Sequence, residues 1–149
     1  GKRDLSRFPG LLVEAREACE KFKDMTVSVF NFVEGTRFRK DKHARQKSPF
    51  RHLLRPKAGG VALVMGAMGD RIHDILNVTI VYPRGVRNFW DYLCGKVEEI
   101  RVHVERLTVT PDLVGDYTSN SAYRSHIQDW LNDLWKRKDL LIDEMLLWQ

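Results

Sequence analysis

The chain has 149 residues, 43% of them hydrophobic and 30% charged, enough for a single domain (residues 1–149) with a real core and too apolar for wholesale disorder. Its longest apolar stretch, residues 61–68, is interrupted by Gly66 and falls far short of the roughly 20 apolar residues of a membrane-spanning helix. The net charge of +5 is unevenly spread, because residues 37–57 hold nine Lys or Arg against one acid, Asp41, and a patch of that kind attracts phosphates on nucleic acid, anionic lipid or a small molecule.

In chain order, Leu12, Ala15, Cys19 and Phe22 recur at helical spacing after Pro9 and Gly10, which predicts a helix. Residues 26–33 are β-branched and aromatic and predict a buried strand. From Arg37 to Pro56 apolar periodicity is weak, so a long surface loop is expected, with a short helix around residues 52–55. Residues 57–68 are small and apolar on most sides and predict a buried helix packed closely on a sheet. A second buried strand is expected over residues 75–82, closed by Pro83 and Gly85. Residues 100–109 alternate, with Ile100, Val102 and Val104 on one side and Arg101, His103 and Glu105 on the other, as in a half-buried strand. The last third predicts a long amphipathic helix capped by Ser121, with Tyr123, Ile127, Trp130, Leu134, Leu141, Met145 and Trp148 along it. Such alternation implies an α/β fold, a layered mixed sheet with flanking helices.

The run Phe32-Val33-Glu34-Gly35-Thr36-Arg37-Phe38 stands where the first predicted strand ends and the basic segment begins. Ligands of α/β sheets bind beyond the carboxyl ends of strands, and the residue types suit a phosphate monoester. Gly35 lets the backbone turn and approach a ligand without a Cβ in the way. The Thr36 hydroxyl can donate to a phosphate oxygen. Arg37 offers a planar fork of donors that a lysine cannot match. Glu34 can orient Arg37 or accept from a substrate hydroxyl.

This segment resembles the Phe-Pro-Glu-Gly-Thr-Arg-Ser motif of the 1-acylglycerol-3-phosphate (lysophosphatidate) acyltransferase family. Arg51-His52-Leu53-Leu54-Arg55-Pro56-Lys57-Ala58-Gly59-Gly60 is similar to that family's connection into its next helix, and Asn77-Val78-Thr79-Ile80-Val81-Tyr82-Pro83 to its fourth motif. Phe89-Trp90-Asp91 and Trp130-Leu131-Asn132-Asp133-Leu134-Trp135, with Lys138-Asp139, look like one branch of these enzymes. Val33 and Phe38 depart from the usual proline and serine, and Asn77 and Thr79 from the commonest fourth motif.

The resemblance implies transfer of an acyl group from a thioester, acyl-coenzyme A or acyl carrier protein, to 1-acylglycerol 3-phosphate. The acceptor phosphate would be held by Glu34, Gly35, Thr36 and Arg37, with no bound cofactor. It implies a protein on the cytoplasmic face of a membrane, the inner membrane in a bacterium, with lysophospholipid, thioester donor and membrane surface as partners and no nucleic acid. The family's base is a His-x4-Asp pair upstream of the motif. Five residues beyond His43, His52, His73, His103 and His126 stand Ser48, Lys57, Val78, Thr108 and Leu131, so the resemblance implies a C-terminal portion of the enzyme, inactive alone.

Other chemistry finds little support. His73-Asp74 are adjacent and do not converge on a helix or strand. His43 and His52 are expected to join the positive face, and His103 and His126 to lie on polar sides. Cys19 and Cys94 read as core residues in a reducing, cytosol-facing protein, too few for disulfides or zinc. No metal-ligand spacing occurs, and residues 1–7 do not begin a secretory leader. The tryptophans of the last helix suit a membrane interface or, more simply, a core. The alternative reading is non-enzymatic binding of anionic lipid or nucleic acid through residues 37–57.

Overall fold

A computed structural model describes Glu17, residues 28–86 and residues 88–148. The elements run α1 (Lys40–Gln46), α2 (Ala58–Met68), β1 (Asp74–Val81), α3 (Phe89–Leu93), β2 (Arg101–Thr108), a 3-10 turn (Pro111–Leu113) and α4 (Ser121–Leu147). The helix predicted around residues 12–22 lies outside the described residues.

Helix α4 is the spine. Its 27 residues make a rod about 40 Å long. Tyr123, Ile127, Leu131, Leu134, Trp135, Ile142 and Met145 are buried along one stripe, the spacing that an apolar face needs. Its cap lies one residue before the expected one: Asn120 accepts from the Tyr123 N–H at 3.0 Å, satisfying one of the orphan donors of the first turn. At the other end the Arg101 guanidinium donates to the Met145 carbonyl, one of the last carbonyls without a helical partner.

Around the N-terminal half of α4, Phe50, Ala58, Ala62 and Leu113 complete one core, and around its C-terminal half Val81 joins Ile142 and Met145 in another. Ile127 and Leu131 are almost wholly withdrawn from solvent, each stabilising the fold by about 1.5–3 kcal/mol. Among the described residues helix α2 packs chiefly on α4 rather than on the two-stranded sheet, which was its expected partner. Its small residues permit close approach. A Cβ on Gly66 would lie 2.8 Å from the Gly115 carbonyl, and one on Gly115 2.6 Å from the Tyr123 ring.

The sheet of the described residues has two antiparallel strands, with Val78 opposite Val104 and Thr79 opposite His103. Mixed helices flanking a small sheet are what the α/β reading required; a mixed sheet goes further than these residues show. The strand faces differ from expectation. Thr79 and Val81 are buried and Asn77, His103 and Glu105 half-buried, whereas Leu76, Val78, Ile80, Val102 and Val104 are exposed. Helix α4 contacts β1 and reaches Asn77 through Lys138, so the polar face is the covered one.

Three further expectations are corrected. Residues 28–32 form no strand, and Phe30 and Phe32 are 86% and 84% exposed. Among the described residues no strand edge pairs with them, and an unpaired apolar run has no ladder to join. The helix in the basic segment is α1 rather than residues 52–55, and it ends at Lys47, whose φ of 47° marks a left-handed cap. Cys94 is exposed instead of core, while Cys19 lies outside the described residues.

The rest of the basic segment is not a free loop. Asp139 accepts from two successive backbone N–H groups, Arg51 at 2.7 Å and His52 at 2.8 Å. Asp143 pairs with the side chains of both, at 3.0 and 2.8 Å. Arg55 donates to the Gln46 and Lys47 carbonyls. Residues 47–56 are thereby laced to the end of α1 and to the second half of α4.

Candidate functional site

The run Glu34-Gly35-Thr36-Arg37 forms a tight turn. The Gly35 N–H donates to the Phe32 carbonyl at 2.7 Å, and Gly35 has φ +66°, the left-handed region open to glycine. The chain then returns alongside through the residue that precedes α2: the Lys57 N–H donates to the Val33 carbonyl at 3.0 Å. The Lys57 side chain folds over the turn, so that a Cβ on Gly35 would stand 3.0 Å from its ammonium. Three residues on, a Cβ on Gly60 would stand 3.0 Å from the Asn31 side-chain amide. The first turn of α2 therefore lies close to the segment that carries Gly35; its N-cap, Lys57, makes no side-chain cap of its own, and the Ala58 N–H donates instead to Gln128 Oε1 of α4 at 3.4 Å.

Arg37 is exposed, Thr36 is half-buried, and among the described residues the Arg37 guanidinium has no hydrogen-bond or ion-pair partner. Arg37 follows the turn in the chain and the Lys57 ammonium lies over Gly35. That donor set matches an anion with several oxygens.

Glu34 takes the opposite direction. It is half-buried, and burial raises its pKa above the ordinary value. Offsetting that are, in order, the Leu54 N–H, the Trp135 indole, and the charges of Lys138 and His43. The Trp135 Nε1 faces the carboxylate without closing a well-aligned hydrogen bond. Of the four residues expected to bind together, Gly35 and Arg37 are exposed and Glu34 and Thr36 half-buried.

Sequence reasoning passed over Lys57 as a binding residue. The available signal was a lysine set directly before a run of small residues, Ala58-Gly59-Gly60. Lys138 was also missed. Its ammonium donates to Asn77 Oδ1 and to the Val78 carbonyl, both at 2.7 Å, and lies 5.3 Å from the Trp135 ring centroid. Burial pulls its pKa down to about 8, although Glu34 and Glu105 act in the opposite sense.

The other candidates are engaged elsewhere. Asp74 pairs with Arg106 across the strands at 2.7 Å rather than with His73, His126 pairs with Asp112, and His43 Nε2 meets the Phe50 carbonyl at 2.6 Å. A depression of about 330 Å³ between residues 49–55 and α4 has none of the turn's residues in its walls. Its Lys136 is paired with Asp133, and it gathers no chemistry. Among the described residues, no three His, Cys, Asp or Glu are placed to hold a metal ion, and no helix is long and apolar enough to cross a membrane.

Compared with known proteins, the chain matches no family model, no curated protein and no solved structure.

Proposed function

We propose that this chain carries the acceptor-phosphate site of a glycerolipid acyltransferase, one that moves a fatty acyl group from acyl-coenzyme A or acyl carrier protein to 1-acylglycerol 3-phosphate, giving phosphatidate. The resemblance of residues 32–38, 51–60 and 77–83 to the lysophosphatidate acyltransferases supports the reading. The observation that carries it is the turn at Gly35, with the Lys57 ammonium over it and, beside it, Arg37, which has no partner among the described residues. In the reaction the glycerol hydroxyl attacks the thioester carbonyl, a C–O bond replaces the C–S bond, and the hydroxyl proton passes to a histidine before the thiol leaves. No histidine of this chain stands in a His-x4-Asp pair, so the base is not among residues 1–149, and the chain alone transfers no acyl group. The layered acyltransferase domain, the mixed sheet and a location at the cytoplasmic face of a membrane belong to the same proposal.

Titration calorimetry with glycerol 3-phosphate is the test. Arg37→Lys should weaken binding about tenfold, or roughly 1.4 kcal/mol, because a point charge replaces a bidentate fork. Binding that survives Arg37→Lys but collapses with added salt would instead favour a diffuse basic surface for anionic lipid or nucleic acid.

A further inference from the structure

Large apolar side chains left in water call for a reason when they stand beside a strong charge of one sign. Residues 28–47 carry both. The limb that enters the Gly35 turn alternates: Asn31 lies against Gly60 and Val33 packs on the core around α4, whereas Phe30 and Phe32 are almost wholly exposed. The Phe32 carbonyl closes the turn by accepting from the Gly35 N–H, so the two ends of the turn stand within about 7 Å of each other. The leaving limb carries Arg37 and then Phe38, a third exposed ring. Helix α1 follows directly and buries none of its residues. Over residues 37–47 six Lys or Arg stand against one acid, Asp41, which Arg39 takes up at 3.0 Å. Arg37, Lys40, Lys42 and Arg45 have no ion-pair partner among the described residues.

The other apolar surface, the outward side of β1 and β2, has no such charge beside it, since Arg84, Lys96 and Arg106 are each paired with a carboxylate. Exposed rings next to uncompensated cations suit an anionic bilayer. There apolar side chains enter the boundary between headgroups and acyl chains, while Lys and Arg meet the lipid phosphates. Rings and cations are also segregated, because residues 28–36 hold no Lys or Arg. A single-stranded nucleic acid follows a groove in which cations accompany the stacked bases, whereas a bilayer offers its apolar and charged layers separately. We infer that residues 28–47 dock this chain onto anionic lipid, with Phe30 and Phe32 inserted and Lys40, Lys42 and Arg45 on the headgroups. The inference deepens the acceptor-site reading, on which it rests for the lipid taken up, and it gives the turn a direction. Gly35, Thr36 and Arg37 lie along the chain between the inserted rings and the basic helix. A lysophospholipid can therefore offer its phosphate to the turn while its acyl chain stays in the bilayer.

The experiment is co-sedimentation of the 149-residue chain and its variants with phosphatidylcholine vesicles, with and without phosphatidylglycerol, each variant being checked for an unchanged melting temperature. The chain should bind the phosphatidylglycerol vesicles and leave pure phosphatidylcholine largely unbound. Phe30→Ser with Phe32→Ser should weaken that binding about tenfold by removing the inserted apolar area. Lys40→Gln, Lys42→Gln and Arg45→Gln together should weaken it on the order of a hundredfold. Neither set removes a donor of the turn, so titration calorimetry should find glycerol 3-phosphate bound as in wild type. Vesicle binding undiminished by the phenylalanine substitutions in a folded protein would overturn the inference and leave the phosphate site standing. So would a single-stranded oligonucleotide that binds more tightly than the vesicles and loses affinity with the same phenylalanines, which would give the face to nucleic acid. A wild type that docks on vesicles through these residues but takes up no glycerol 3-phosphate would sink the acceptor-site reading and keep the docking face.

Discussion

Gly35 concentrates the site's geometry in one residue. Alanine there must adopt φ near +66°, at a cost of about 1–2 kcal/mol, and its methyl would press on the Lys57 ammonium. Gly35→Ala is therefore expected to lower the melting temperature and weaken glycerol 3-phosphate binding together, whereas Arg37→Lys should affect binding alone; differential scanning fluorimetry beside calorimetry separates the two. The glycine's role was legible in the sequence, since a turn and a close approach are what glycine permits. The role of Glu34 was not. The nearest cation in sequence is Arg37, but burial is what shifts the Glu34 carboxylate, with Leu54, Trp135, Lys138 and His43 acting against it, and only the fold brings groups about a hundred positions away near it.

Among elements, the junction between residues 47–56 and α4 depends on one carboxylate. Asp139→Ala would strip the acceptor from the Arg51 and His52 N–H groups, the first exposed and the second partly buried, at a cost of about 1 kcal/mol. Hydrogen exchange should show the amides of residues 51–52 losing protection in that variant, while those near Leu131 keep theirs. Helices α2 and α4 and strands β1 and β2 were all legible, because small-residue composition, 3.6-residue periodicity and β-branched alternation are local signals. The covered side of the strands was not. Alternation separates Val102 and Val104 from His103 and Glu105, and burial of the apolar set is the usual outcome. Here Lys138, Asn77 and Glu105 form a hydrogen-bonded chain on the polar side against α4, beside which Thr79 Oγ1 and His103 Nδ1 find no partner among the described residues. The residues 28–33 failed for a related reason: strand propensity needs a partner edge, and propensity alone does not supply one.

At the scale of the whole molecule, Lys138 links protonation to folding. Its pKa falls from the ordinary 10.5 to about 8 in the fold, so between those values the unfolded chain holds a proton that the folded chain has released. Stability contributed by this group consequently rises with pH from about 8 to 10.5 and is lost as pH falls back through 8. Thermal melts at pH 8, 9 and 10 should show that slope as a difference between wild type and Lys138→Met, the variant lacking it. Glu34 acts in the same direction of burial but with the other charge: its raised pKa favours the fold most in acid, and that contribution is lost as pH climbs through the raised value.

The outward valines, leucine and isoleucine of the two strands also bear on how the protein reports its own state. Fluorescent dyes such as anilinonaphthalene sulfonate brighten on accessible apolar surface and commonly serve to reveal loosely packed, molten forms. With Leu76, Val78, Ile80, Val102 and Val104 open to solvent in the native fold, the dye finds a surface before anything melts. Brightening at ambient temperature is then the signature of the intact molecule, and loosening has to be read from near-ultraviolet signals of Trp135 and Tyr123, which are buried together in the core around α4.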